Sequence, residues 1–148
     1  MDNHQYEALK IENQLCFPMY ACSREIIKLY KPWLDKMDLT YTQYITMLVL
    51  WENRVMTVKS LGEKLYLDSG TLTPLLKKLE QKGLVSRKRS VEDERNLLVS
   101  LTKEGEALRD NALSMSVEMQ SCIEIAEDEQ KMLNGVLMKL LHRTEEKG

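Results

Sequence analysis

Apolar residues recur every three or four positions along almost all of this 148-residue chain, which is the spacing of amphipathic α-helices. One stretch breaks this pattern. Between residues 84 and 102, the segments LVSRKR and LLVSLT flank the charged turn SVEDERN. Short apolar runs on either side of a polar turn predict a two-stranded β-hairpin. The chain is therefore expected to be mainly α-helical with one small β-hairpin.

Capping residues predict where the helices begin and end. Thr40 opens the sequence TYTQ, which is a capping box for the second helix. Thr57 and Thr102 each precede a further apolar stripe and are expected to cap the third and fifth helices. Gly83 is expected to end the fourth helix, because glycine adopts the left-handed conformation without strain.

Two prolines bear on the first helix, whose apolar stripe begins at Ile11. Pro32 is expected to end this helix, because the residue before a proline is disfavoured in the helical region. Pro18 is expected to remove a helix hydrogen bond and to kink the chain just after Cys16. The prediction is thus a first helix from about Ile11 to the residues before Pro32, with a bend near its start.

The order of the elements predicts a winged helix-turn-helix. Two short helices, a basic helix and the hairpin make up this DNA-binding core, expected over residues 40–102 of a single domain, 1–148. The helices in residues 1–35 and 103–148 carry apolar stripes too wide for so small a core to cover. A second copy is expected to cover them, which predicts a homodimer with N- and C-terminal dimerisation helices. Paired recognition helices would also match two half-sites about one turn of DNA apart.

Charge is distributed unevenly along the chain. The net charge is −2, but residues 77–89 carry +5 and residues 103–148 carry −4. A basic centre of this kind indicates a local surface for double-stranded DNA. No apolar run approaches the ~20 residues of a membrane span, and the first ten residues lack the pattern of a signal peptide. Three cysteines without an export signal predict free thiols in the cytoplasm, and no metal site or cofactor is expected.

The fourth helix and the hairpin carry the candidate DNA contacts. The face of the helix that is not buried offers hydroxyls, a proline and a cation that suit phosphates and base edges: Ser69, Thr71, Thr73, Pro74 and Lys77. Pro74 favours contact over a merely solvated surface, because an interior proline costs a helix hydrogen bond. In the turn, Asp93 and Arg95 share one side, so the carboxylate can orient the guanidinium for a narrow minor groove. Arg87 is a further candidate contact.

The segment 67–105, LDSGTLTPLLKKLEQKGLVSRKRSVEDERNLLVSLTKEG, resembles the DNA-binding core of the MarR family of transcription regulators. The motif QLCF and three nearby tyrosines are similar to the organic hydroperoxide repressors, the OhrR-type branch of that family. The resemblance implies that Cys16 is the peroxide sensor. It also implies that phenols donate hydrogen bonds to the Cys16 sulfur, and the matching residues are Tyr20, Tyr30 and Tyr41.

The other two cysteines differ in what they could do. Some members of this branch carry a cysteine in the fifth helix that resolves the oxidised sensor of the partner subunit, and the resemblance offers Cys122 for this role. An apolar residue of the dimer interface is the alternative for Cys122. Cys22 lies about 9 Å from Cys16 along one helix and off its face, too far for a disulfide.

The expected function is that of a redox-sensing transcriptional repressor. The homodimer would bind a palindromic operator while Cys16 is reduced and dissociate when organic hydroperoxides oxidise it. A cysteine is more often a small hydrophobe than a reagent, and at a pKa of ~8.5 only about a tenth of it is thiolate near neutral pH. A sensor therefore needs donors such as the tyrosines to stabilise the anion. Two alternatives stay open: a thiol peroxidase, and a MarR-type regulator that responds to a small phenolic ligand.

Overall fold

The structure, a computed structural model, describes residues 3–147 and consists mainly of helices. Two short 3-10 turns at Asn3–Leu9 and Ile11–Asn13 precede the first helix. The elements that follow are α1 (Cys16–Lys36), α2 (Tyr41–Asn53), β1 (Val55–Thr57), α3 (Val58–Leu65), α4 (Ser69–Gln81), β2 (Val85–Arg89), β3 (Leu97–Leu101), α5 (Lys103–Ser121) and α6 (Glu127–Lys147). This order confirms the predicted winged helix-turn-helix, with α4 as its recognition helix and β2 and β3 as the wing.

The predicted helix caps are confirmed. The Thr40 hydroxyl accepts from the Gln43 N–H at 3.3 Å, and the Gln43 side chain accepts from the Thr40 N–H at 3.1 Å, which completes the capping box of α2. Thr57 and Thr102 each accept a hydrogen bond from the N–H three residues ahead, both at 3.0 Å. Gly83 follows α4 with a φ of +76°, the conformation for which a glycine was expected there.

The prediction that α1 ends before Pro32 is wrong, because the helix continues through this proline to Lys36. Beyond the proline, α1 inserts Leu34 and Met37 into the core, where they are 4% and 5% exposed. Burying one such side chain contributes about 1.5–3 kcal/mol. Two of them offset the cost of an interior proline, which is about 3 kcal/mol. Tertiary packing therefore overrides the local preference.

The start of α1 also differs from the prediction. The helix begins at Cys16 rather than at Ile11, which lies in a separate 3-10 turn. Pro18 is then the third residue of α1, and the first four N–H groups of a helix have no acceptor within it. Pro18 removes no intrahelical hydrogen bond, so the predicted reason for a kink beside Cys16 does not apply.

The sheet has one strand more than the predicted hairpin. All three strands are antiparallel in the order β1-β3-β2, and Val55 of β1 pairs with Ser100 while Arg87 of β2 pairs with Val99. A strand of three residues is too short to show an alternating pattern, and β1 was not predicted for this reason. The third strand makes β3 central and places Val99 in the core, fully buried.

The core lies between α2, α3, α4, the sheet, the end of α1 and one side of α5. The indole Nε1 of Trp51 in α2 donates to the Gly105 carbonyl at 2.8 Å and so fixes the start of α5. In contrast, α6 has no buried residue at all. Within residues 3–147, no helix is both long enough and apolar enough to cross a bilayer.

Candidate DNA interface and thiol site

The recognition helix α4 presents its predicted DNA face to solvent. Asp68 caps the helix, its carboxylate accepts from the Thr71 N–H at 2.8 Å, and this hydrogen bond lowers the pKa of Asp68. One side of α4 is buried through Leu72, Leu75, Leu76 and Leu79. All five predicted contact residues are exposed on the remainder: Ser69, Thr71, Thr73, Pro74 and Lys77. The geometry leaves this face open for DNA, and the roles of the five side chains stay predictions.

Pro74 lies within α4, as expected from the sequence. It has no N–H for the carbonyl of Gly70, four residues earlier. Gly70 is itself exposed, so water can satisfy that carbonyl and the cost of the proline is reduced. The helix therefore accommodates a proline on the surface predicted to meet DNA.

The tip of the wing holds one arginine in a defined orientation. The Arg95 guanidinium donates to both carboxylate oxygens of Asp93, from Nε at 3.2 Å and from NH2 at 3.4 Å, and the Arg95 backbone N–H donates at 3.1 Å. These bonds lower the pKa of Asp93, with the guanidinium as the main cause. The Arg95 side chain is nevertheless 91% exposed. The pair thus has the geometry that sequence spacing predicted, with a cation oriented by a carboxylate and open to a ligand.

Arg87 makes an internal contact that the sequence did not reveal. Its NH2 group lies 3.3 Å from Oε1 of Glu80, and its backbone N–H donates to Oε2 at 2.9 Å. The Arg87 guanidinium is the main cause of a lowered pKa at Glu80. Glu80 therefore connects the recognition helix to the wing. In the sequence, Glu80 is the single acidic residue of the basic segment 77–89, and this position could have indicated such an ion pair. DNA contact by Arg87 stays a prediction beside this structural role.

Cys16 is exposed at the first position of α1. Tyr20, one turn further along, is also exposed, and its ring lies 5.4 Å from the Arg24 guanidinium carbon, which makes a cation–π contact. Tyr30 is fourteen residues beyond Cys16 on the same helix, a separation of about 21 Å along the axis. Within one chain, the structure thus keeps Cys16 apart from Tyr30.

Two of the predicted sensor partners, Tyr30 and Tyr41, come together, and Cys122 is near enough to affect the pKa of Tyr30. The rings of Tyr30 in α1 and Tyr41 in α2 have centroids 6.4 Å apart. The pKa of Tyr30 is raised by burial first, then by the neighbouring ionisable groups of Tyr41 and Cys122. Cys122 is the C-cap of α5 and is partly buried. We call Tyr30, Tyr41 and Cys122 the phenol–thiol cluster.

A small pocket lies beside the phenol–thiol cluster, between α1, α2 and α5. Its volume is about 210 Å³, and both tyrosines of the cluster line it. Tyr44 of α2 lines the same pocket, and burial raises its pKa. Burial thus favours the protonated, hydrogen-bond-donating form of Tyr30 and Tyr44, on a pocket large enough for a small group.

Comparison with known proteins identifies the class. Residues 28–112 match the family model described as "Transcriptional regulator SarA/Rot". The chain belongs to the MarR-type family of DNA-binding transcriptional regulators and is not an enzyme. This membership excludes the thiol peroxidase alternative.

Individual relatives indicate the branch of the family to which the chain is most similar. The chain is 48% identical, over 99% of both chains, to the organic hydroperoxide resistance transcriptional regulator of Bacillus subtilis (strain 168). AbfR is a protein of Staphylococcus epidermidis. The structure of reduced AbfR bound to DNA is similar to this chain, with a TM-score of 0.77 and 38% identity, over 93% of this chain and 98% of that one. Disulfide-formed AbfR covers 99% of both chains, with a TM-score of 0.64 and 36% identity. These similarities confirm the OhrR-type branch.

Proposed function

We propose that this chain is a redox-sensing transcriptional repressor. The homodimer binds palindromic operator DNA while Cys16 is reduced and dissociates when an organic hydroperoxide oxidises that thiol. The name of the Bacillus subtilis relative, and the DNA-bound and disulfide-formed states of AbfR, support redox control of DNA binding here.

The main observation that supports the proposal is the distance between Cys16 and the phenol–thiol cluster within one chain. Along α1, Cys16 and Tyr30 are about 21 Å apart. Tyr30 and its neighbour Tyr41 can therefore reach a Cys16 thiolate only from a second chain, whereas Tyr20 lies one turn from Cys16 in its own chain. In a two-fold dimer, Cys16 of each subunit facing the cluster of the other gives two equivalent sensor sites.

The terminal helices support dimerisation. Apolar side chains of α5 and α6 stand 40–72% exposed in the single chain, which a second copy would cover. They are Leu113, Val117, Met132, Leu133, Val136 and Met138. Since α6 buries no residue in its own chain, its apolar side is available for a partner.

The proposed signal reaction balances with these thiols. The Cys16 thiolate attacks a peroxide oxygen, the O–O bond breaks, and the alkoxide takes a proton and leaves as an alcohol. The product is a sulfenic acid, and the sulfur has lost two electrons. A second thiol, from Cys122 of the partner subunit or from a small molecule, then attacks this sulfur and releases water as the disulfide forms.

The test measures operator binding by fluorescence anisotropy, with and without organic hydroperoxide, on a duplex selected by the protein from random sequence. Wild type and the control Cys22→Ser should release DNA after oxidation. Cys16→Ser should bind equally well and not release it. A Cys16→Ser variant that releases DNA as readily as wild type would contradict the proposal. Release by a small phenol without oxidant would favour the ligand-responsive alternative.

A further inference from the structure

Lys82 marks the point where the recognition helix ends. It is the C-cap of α4, and its backbone N–H donates to the Lys78 carbonyl at 3.0 Å. Gly83 turns the chain immediately afterwards. The backbone of Lys82 is therefore fixed to α4, while its side chain, only 30% exposed, extends away from that helix.

The Lys82 ammonium group contacts the junction between α1 and α2. Its Nζ donates to the Asp38 carbonyl and, at 3.1 Å, to Oε1 of Gln43. The Asp38 carboxylate lies 3.7 Å away but is 93% exposed, so this ion pair contributes little. Gln43 is 4% exposed, and a charge-assisted hydrogen bond to so buried an acceptor is the stronger link.

Gln43 connects this contact to the phenol–thiol cluster. The Oε1 atom that accepts from Lys82 also accepts from the Thr40 N–H in the capping box of α2. Tyr41 is the first residue of α2 and lies within that box. A displacement of the backbone at Tyr41 would therefore strain or move an acceptor that is held from the end of the recognition helix.

We infer that Lys82 is a positioning residue that couples the α1–α2 junction to the orientation of α4. In the reduced state it holds the recognition helix against the first turn of α2. When a disulfide at the partner's Cys16 displaces Tyr41, the same link transmits the movement to α4 and lowers operator affinity. This inference rests on the proposed redox function.

The test compares the oxidised and reduced operator Kd of wild type, Lys82→Met and Lys82→Arg. Methionine keeps the aliphatic stem and removes the ammonium group, and arginine restores a cationic donor. Lys36→Met, in the last turn of α1, is the control for loss of one charge, because Lys36 has no ion pair within residues 3–147. Thiol oxidation is followed separately by mass spectrometry.

The ratio of oxidised to reduced Kd should fall by roughly tenfold in Lys82→Met, with the rate of Cys16 oxidation unchanged. The ratio should be restored in part by arginine and be unaffected in Lys36→Met. A Lys82→Met variant that keeps the wild-type ratio, even with lower stability, would overturn the inference and leave the proposed function intact. A wild-type ratio of one would instead overturn the proposed function, and the inference with it. Should Lys82→Met not fold, Lys82→Ala, which also removes the ammonium donor, gives the same comparison.

Discussion

Carboxylates orient two arginine side chains of the wing, one exposed and one largely buried. Asp93 holds the Arg95 guanidinium through both of its oxygens at the tip of the wing. An arginine with a fixed plane suits a narrow minor groove, where negative potential is concentrated. Glu80 instead holds Arg87 between the recognition helix and the wing. Two arginines of one hairpin are thereby given different environments.

Replacing Arg95 by alanine should weaken operator binding by about tenfold or more, because it removes the proposed minor-groove contact. The fold should be unaffected, since this side chain is almost fully exposed. Anisotropy titration at physiological salt measures the change, and Arg95→Lys, which keeps the charge without the planar fork, should recover only part of the affinity. Unchanged affinity in Arg95→Ala would remove the wing from the DNA interface.

Replacing Tyr41 by phenylalanine should raise the pKa of the Cys16 thiol and slow its oxidation, because one donor to the thiolate is lost. Tyr30→Phe should act in the same direction. The pH dependence of alkylation of a variant that retains Cys16 as its only cysteine measures this pKa. Tyr6→Phe, in the N-terminal 3-10 turn, is a matched control. An identical alkylation profile in Tyr41→Phe would exclude it as a sensor partner.

At the scale of elements, the start of α5 packs closely against the backbone that follows the recognition helix. A Cβ at Gly105 would lie 2.1 Å from the Leu84 carbonyl oxygen, which is backbone and cannot rotate away. The Gly105 carbonyl accepts from Trp51, and its N–H donates to the cap Thr102. The Thr102 hydroxyl donates in turn to the Gly83 carbonyl at 2.6 Å. One glycine thus lets α5 approach the end of the recognition helix.

Gly105→Ala should lower the free energy of unfolding by about 1–3 kcal/mol, the usual cost of forcing extra atoms into packed surroundings. Chemical denaturation at a fixed protein concentration measures this, since a dimer's stability depends on concentration. Gly135→Ala is the control, because nothing lies within 4 Å of its Cβ position in the chain. It should stabilise α6 by about 0.5–1 kcal/mol. A Gly105→Ala variant as stable as wild type would show that α5 can shift without loss.

At the scale of the whole molecule, the two ends of α1 belong to different surroundings. Its first residue, Cys16, is exposed, whereas Tyr30 lies in the half-buried phenol–thiol cluster. Cys122 joins that cluster from the end of α5. In the proposed dimer, the thiol of Cys16 in one chain meets the phenol–thiol cluster of the other.

Treatment with organic hydroperoxide should therefore produce a disulfide between Cys16 and Cys122 of the partner subunit. A covalent dimer should appear on non-reducing gel electrophoresis, persist in Cys22→Ser and be lost in Cys122→Ser. The bond requires the two Cα atoms to come within about 7 Å. A band of monomer only, with a small-thiol adduct on Cys16 by mass spectrometry, would indicate a mechanism that uses one cysteine.

Local chemistry in the sequence was enough to predict the helix caps and the wing. The cap at Thr40 can be predicted from the four residues that end at Gln43. The hairpin can be predicted from the change of apolar spacing from helical to alternating. The pairing of Asp93 with Arg95 was predictable for the same reason, since a single residue separates them. In each case the interacting groups are neighbours along the chain.

Only the tertiary structure decided features whose partners are distant in sequence. Pro32 stays helical because Leu34 and Met37 pack into a core built mostly by other helices. Likewise β1 exists because β3, more than forty residues away, supplies its hydrogen bonds. Residues remote in sequence also form the phenol–thiol cluster and the Lys82 link. The sequence by itself determined which chemical groups are present and where helices start, and three-dimensional burial decided which of those groups meet, because burial energies exceed local preferences.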